Sequence, residues 1–234
     1  MIMKKVIVTG TSRGIGKSIA AELIKNNYKV IGIGRKHTIN NKNYHAVHHD
    51  LNTIEGYKKK IDNVIKEYKK IDAVISNAGT GFFENLENIS QEKILDFFNV
   101  NLFAHIFISK LMISSFKKYK KGQFIFIGSE AALKTTEKAT LYAAAKHGLM
   151  GFVDSFKAEC NKSNIRTTII NPGMVRTRFF DSLMFEPGGE KENAINKKDI
   201  AKLVLFILNS SPYINYSNIN LKPIKKVIKF KKKI

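Results

Sequence analysis

Tyr142-Ala-Ala-Ala-Lys146 sets a phenol and an ammonium four residues apart, which puts them on one face of a helix. A phenol ionises with a pKa of about 10, too high for an efficient base at neutral pH. A cation held beside it stabilises the phenolate and lowers that value. Tyr142 and Lys146 are therefore a candidate acid/base pair, although the same spacing also describes an ordinary exposed pair. Ser129 stands thirteen residues upstream, just past the apolar run 123–128. Its hydroxyl could orient a reacting oxygen or cap a strand end.

A second constellation lies near the N-terminus. Thr9-Gly10-Thr11-Ser12-Arg13-Gly14-Ile15-Gly16 follows an apolar strand and opens a helix-period segment. Glycines there let the backbone turn sharply and approach a pyrophosphate, whose charge is favoured at a helix N-terminus. The spacing is G-x-x-x-G-x-G, not the commoner G-x-G-x-x-G, and three glycines alone are weak evidence. Their place between strand and helix gives them weight. At the end of the next strand an Asp or Glu would bind a ribose 2′-hydroxyl. The chain has Gly34-Arg35-Lys36 instead. Arg35, with Arg13 reaching from the glycine loop, offers two cations to a 2′-phosphate. The expected cofactor is NADP(H), with NAD(H) the lesser alternative.

These groups sit at the ends of apolar runs that alternate with helix-period segments, the pattern of βαβ units. Strands are expected at 6–9, 29–33, 45–50, 73–76, 123–128, 166–170 and 217–221. Ile15, Ile19 and Leu23 form one helix stripe, and Tyr57, Ile61, Val64 and Tyr68 belong to another. Ser90 can cap the helix that carries Ile94, Leu95 and Phe98. The helices at about 102–119 and 142–159 are apolar on more than one face. That suits deep burial or, the favoured reading, packing against another subunit in a homodimer or homotetramer. The fold class is α/β: a Rossmann-like doubly wound sandwich with a central, mostly parallel seven-stranded sheet and helices on both faces. No repeat or linker divides residues 1–234, so one domain is expected, ending in a basic tail at about 224–234.

The formal charge of +21 raises the question of nucleic acid. The lysines are spread along the chain, and the runs at 58–60, 117–121 and 225–233 have few aromatics to stack on bases. A solvated surface is the expectation, with no nucleic acid and no membrane as partner. The apolar stretch 99–116 is broken by Asn101, His105 and Lys110, short of the roughly 20 apolar residues that span a bilayer. The chain starts directly in an apolar strand without a secretory-signal pattern, and its one cysteine, Cys160, cannot pair internally. A cytoplasmic setting is expected. His48 and His49 are adjacent in a strand and point to opposite faces, so no metal site is expected there.

Together these features resemble the short-chain dehydrogenase/reductase family over nearly the whole chain. The further matching motifs are Asp50-Leu51 after the third strand, Ser76-Asn77-Ala78-Gly79 after the fourth, and Asn101 on the next helix. Pro172-Gly173-Met174-Val175-Arg176-Thr177 follows the sixth strand. The resemblance implies an NADPH-dependent oxidoreductase that interconverts a small-molecule carbonyl compound and its alcohol by hydride transfer. Tyr142 would be the general acid/base, and Ser129 would orient the carbonyl oxygen. Lys146 would poise the tyrosine and hold the nicotinamide ribose, and Asn101 would shape its helix around a proton-relaying water. The implied cofactor contacts are Gly10, Ser12, Arg13, Gly14, Ile15, Gly16, Arg35, Asp50, Leu51, Asn77, Ala78 and Gly79. Tyr142, Lys146, Pro172, Gly173, Val175 and Thr177 complete them.

Two features qualify the resemblance. The end of the chain, Asn218-Ile-Asn-Leu-Lys-Pro223, lacks the Gly-rich closing segment of many reductases that act on acyl-carrier-linked ketones. The segment 178–185 is expected to cover the substrate, with Gly188-Gly189 letting it move as a lid. Arg178 among bulky apolar residues suits an apolar carbonyl compound with an acidic handle. The alternative from another class is a catalytically idle NADP(H)-binding regulatory or scaffold protein. The intact Tyr142, Lys146, Ser129 and Asn101 argue against it.

Overall fold

Strands that are apolar along their whole length need cover on both faces, and a parallel sheet wrapped by helices provides it. The computed structural model describes residues 3–135 and 137–232. Its main sheet contains β1 (Lys5–Thr9), β2 (Lys29–Gly34), β3 (Tyr44–His48), β4 (Ala73–Ser76), β5 (Gly122–Ile127), β6 (Ile165–Pro172) and β7 (Asn218–Leu221). All neighbours pair in parallel, in the order β7-β6-β5-β4-β1-β2-β3. The helices are α1 (Gly14–Lys25), α2 (Tyr57–Tyr68), α3 (Gln91–Phe98), α4 (Ala104–Tyr119), α5 (Thr140–Asn161) and α6 (Lys197–Asn209).

Alternation along the strands sorts the core into two layers. Ile7, Val74 and Phe124 face Ile61 of α2, Ile108, Met112 and Phe116 of α4, and Leu149 and Val153 of α5. Val6, Val8 and Ile125 face Ile19 and Leu23 of α1 and Ile200, Val204 and Ile207 of α6. Burying each such side chain contributes about 1.5–3 kcal/mol. The chain runs outward from β1 to β3, then returns to β4 and builds the other way. Loops above β1 and β4 therefore part, leaving the crevice where ligands bind in such sheets.

The doubly wound sandwich is the expected fold, with small shifts. β3 ends at His48 because Asp50 turns the chain, its Oδ1 accepting from the backbone N of Asn52 at 3.0 Å. The helix expected from about 102 is preceded by a π-helical turn, Asn99–Phe103, so that α3, the turn and α4 form one run, Gln91–Tyr119. That run is long and apolar enough by length and composition to cross a membrane, which a count of uninterrupted apolar residues overlooked. Its inner face nevertheless lies in the core, where Phe116 meets Phe124 with ring centroids 4.9 Å apart. On the outer side of α4 and α5, Phe103 is exposed and Phe107, Leu111, Met150 and Phe152 are half-buried. Residues in the basic tail also form structure: Ile228–Phe230 pairs antiparallel with Phe185–Pro187.

Candidate active site

The ends of β4 and β5 meet the first turns of α4 and α5. Ser129 follows β5 in extended backbone, and its Oγ accepts from the backbone N of Ala131 at 3.2 Å. Tyr142 and Lys146 lie one turn apart on α5. Ser129 lies near enough to the Tyr142 phenol to lower its pKa, and Lys146 Nζ is 5.8 Å from the phenol ring centroid. The π-helical turn, wider than an α-turn, delivers Asn101 into the interior. Its amide donates to the Phe97 carbonyl at 3.0 Å and to Thr80 Oγ1 at 3.3 Å, and its Oδ1 accepts from the backbone N of Thr80 at 3.1 Å. Gly79 lets these parts approach, since a Cβ there would stand 3.1 Å from Asn101 Oδ1 and 3.6 Å from Lys146 Nζ. The four residues expected to do chemistry thus converge.

Lys146 is expected to lower the pKa of Tyr142 together with the oxidised nicotinamide; among the chain's own groups, burial raises it. The Ser129 hydroxyl opposes the rise, and the nearby Glu130 adds to it. Lys146 is itself buried, and its pKa is pushed down to about 8. Desolvation penalises whichever form is charged, so it acts on both partners in opposite directions. The chain's own residues hold Tyr142 protonated and leave Lys146 charged at neutral pH.

The crevice between β1 and β4 is tied at its floor. Thr9 Oγ1 accepts from the backbone N of Asn77 (2.9 Å) and of Ala78 (3.0 Å), and Asn77 Nδ2 donates to the Thr9 carbonyl (2.9 Å). Gly10 takes a φ of +75°, and a Cβ there would press on Asn77 and Ala78 at 3.0 Å. A Cβ on Gly16 would run into the Gly10 carbonyl. α1 begins at Gly14 without a capping side chain on Arg13, so its first-turn N–H groups face the loop. Ser12 and Ile15 are half-buried beside them, and Arg13 is exposed. Arg35 has a side chain 71% exposed and is loosely paired with Asp50 at 3.9 Å, next to Leu51. Thr177 faces the glycine loop: a Cβ on Gly14 would lie 3.8 Å from its methyl group. Pro172 ends β6 and Gly173 follows it, and Val175 is buried in the layer that holds α1 and α6. A turn that only glycine fits, an uncapped helix start and exposed arginines are a donor set suited to a phosphate-bearing dinucleotide.

The substrate end was less visible in the sequence. Tyr142 is ringed by Phe83, Phe97 and Phe179, at centroid distances of 5.2, 6.3 and 5.9 Å. Phe185 closes edge-on against Phe83 at 4.9 Å. Phe179 sits over Gly81, where a Cβ would stand 2.5 Å from its ring. Arg178 stays exposed while Phe179 and Phe180 turn inward. The hinge expected at Gly188 is fastened, its N–H donating to the Val227 carbonyl at 3.0 Å and its carbonyl accepting from Arg176 at 2.9 Å. The tail holds on at two more points: the backbone N of Lys231 donates to the Met184 carbonyl (2.8 Å), and Lys226 pairs with Glu130 Oε1 (2.6 Å). Phe83, Glu130 and Lys226 are functional candidates that motif reading missed. A pair of phenylalanines directly after Gly79-Thr80-Gly81 was the available signal.

Fold and site together define an oxidoreductase of Rossmann type. The sequence profile described as short chain dehydrogenase matches residues 4–186, and the chain belongs to that family. It is 32% identical over 226 residues to 3-oxoacyl-(acyl-carrier-protein) reductase of Buchnera aphidicola subsp. Baizongia pistaciae, covering 90% of this chain and 92% of the relative. It is 31% identical over 229 residues to carbonyl reductase family member 4 of Xenopus laevis, covering 91% and 94%. The alcohol dehydrogenase of the archaeon Thermococcus sibiricus, solved in complex with 5-hydroxy-NADP, superposes with a TM-score of 0.85. It shares 26% identity and covers 95% of this chain and 97% of that one.

Proposed function

We propose that this chain is a cytoplasmic, NADPH-dependent reductase of an apolar aldehyde or ketone, with Tyr142 as the proton donor. The observation that carries this reading is the convergence of Ser129, Tyr142 and buried Lys146 at the mouth of a glycine cradle. Arg13 and Arg35 support NADPH over NADH, and the Thermococcus relative carries an NADP analogue. The glycine loop, Arg35, Lys146 and Thr177 would hold NADPH, which would supply the hydride. Ser129 donates a hydrogen bond to the carbonyl oxygen and keeps it turned toward the phenol. Tyr142 gives its proton to that oxygen, and Lys146 stabilises the phenolate left behind until a solvent proton replaces it. Burial holds the phenol protonated, which is the form that can give up a proton. The phenylalanines around Tyr142 exclude water and favour an apolar substrate body. Homo-oligomer formation through the half-exposed side of α4 and α5 belongs to the same reading, and the mass in solution tests it.

The test is NADPH oxidation over a panel of aliphatic and aromatic aldehydes and ketones. Wild type should turn over the apolar members. Tyr142→Phe should lose about 100- to 10,000-fold in kcat while still binding NADPH. A protein that binds NADPH yet turns over nothing in either direction would be the idle alternative, and the proposal would fall.

A further inference from the structure

One hydroxyl joins the two loops that the cofactor must bridge. Tyr44 rises from β3 so that its Oη lies 2.7 Å from Thr11 Oγ1 in the glycine loop and 2.6 Å from His37 Nδ1, two residues beyond Arg35. His37 Nε2 lies 3.1 Å from the Gly34 carbonyl, and the His37 ring meets His48 edge-on at 4.6 Å. The phenol crosses directly over Gly32. A Cβ there would collide with Tyr44 Oη and come within 2.7 Å of Thr11 Oγ1. A glycine inside a strand weakens it unless something must approach the backbone closely. Here that something is the Tyr44 hydroxyl.

Elementary hydrogen-bond accounting orients the chain of bonds. A carbonyl can only accept, so Nε2 of His37 carries its proton. A neutral ring then has a lone pair on Nδ1, which accepts from the Tyr44 O–H. The Tyr44 oxygen accepts in turn from the Thr11 O–H. Burial keeps the ring in this neutral state, lowering the His37 pKa, with His48 acting in the same direction. Thr11 is fully buried beneath the loop it belongs to. The two segments are therefore locked through Thr11, Tyr44 and His37 to the backbone of Gly34, the residue preceding Arg35.

We propose that Tyr44, with His37 as its acceptor, is a positioning residue for the 2′-phosphate of NADPH. The inference rests on the cofactor assignment above and goes beyond it to how the chain distinguishes NADPH from NADH. The diphosphate and the 2′-phosphate belong to one nucleotide, so the glycine loop and Arg35 must be spaced to receive both at once. Arg35 is long, largely exposed and entropically costly to order, and fixing the backbone that carries it reduces that cost. NADH has no 2′-phosphate and does not need the spacing.

The experiment titrates NADPH and NADH into wild type, Tyr44→Phe, His37→Leu and His37→Asn, following binding by fluorescence and folding by circular dichroism. Tyr44→Phe removes both bonds of the hub, and NADPH affinity should fall about tenfold while NADH affinity changes less than about twofold. His37→Leu should behave alike. His37→Asn, which keeps an acceptor near the Nδ1 position, should recover most of the loss. In turnover the effect should enter KM for NADPH and leave kcat unchanged. If Tyr44→Phe fails to fold, His37→Leu carries the same comparison, because it leaves the Thr11–Tyr44 bond in place. Equal losses for both nucleotides, or no loss in a folded variant, overturn the positioning role and leave the reductase reading standing. Wild type that fails to bind NADPH overturns the cofactor assignment instead.

Discussion

The cofactor end and the substrate end of the crevice are built from opposite materials. At the cofactor end the chain offers backbone and exposed cations: Gly10 at positive φ, an uncapped α1, and Arg13 and Arg35 in solvent. At the substrate end it offers side chains packed on one another, Phe83, Phe179 and Phe185 around Tyr142, fastened by a strand from the far end of the chain. A charged ligand of fixed shape is matched by preformed N–H groups and guanidinium ions. An apolar ligand needs a wall, and a wall made of loops needs something behind it. The two ends should therefore fail separately.

Arg35→Asp is the sharpest way to break the first end alone. On the proposed reading the exchange removes a charge-assisted hydrogen bond and puts a carboxylate where the 2′-phosphate would sit. NADPH affinity should fall about 100-fold with NADH nearly unchanged. Equal losses would mean that Arg35 does not read the 2′-phosphate. Removing residues 224–234 addresses the other end. It takes away the pairing of Ile228–Phe230 with Phe185–Pro187 and the Lys226–Glu130 ion pair beside Ser129. KM for an apolar carbonyl substrate should rise about fivefold as the phenylalanine wall loosens, while the NADPH dissociation constant stays within about twofold. A parallel loss of NADPH binding would show that the two ends are one mechanical unit.

The same contrast explains what could be read from the residues. Strand periodicity and the glycine turn are local, so β1, β2, β4 and the start of α1 were legible within a residue or two, as was the Tyr142–Lys146 spacing. The burial that acts on both groups was not, because spacing reports a nearby cation but not how deeply the pair is buried. The π-helical turn at Asn99–Phe103 was hidden for a related reason. Asn101 carries the motif, but the wider turn appears only when Phe97, Thr80 and Gly79 are packed against it. The tail, expected only as a basic end, pairs Ile228–Phe230 with Phe185–Pro187 while staying exposed, a long-range pairing that its local sequence does not announce. Partners distant in sequence, such as Glu130 and Lys226, left no local trace.

Lys146 stands where the two ends meet and should show the smallest measurable effect, on stability. Its pKa falls from about 10.4 in an unfolded chain to about 8 in the folded one. Below pH 8 both states hold the proton, and the folded state bears the whole cost of a buried ammonium. Between about 8 and 10.4 the folded protein releases the proton first, so this cost shrinks as pH rises, and above that window it is gone. Replacing the ammonium with an apolar chain of similar length removes the cost and forfeits some packing. Lys146→Met should therefore be the more stable protein at pH 7, by about 1 kcal/mol or roughly 2–4 °C in Tm. Its advantage should close as thermal melts are repeated toward pH 10. A variant that is less stable at pH 7 would mean that the ammonium is compensated by contacts at Asn101 and Gly79. Lys146 would then belong with the cofactor end, where charge is matched, and not at the boundary where burial is the cost of chemistry.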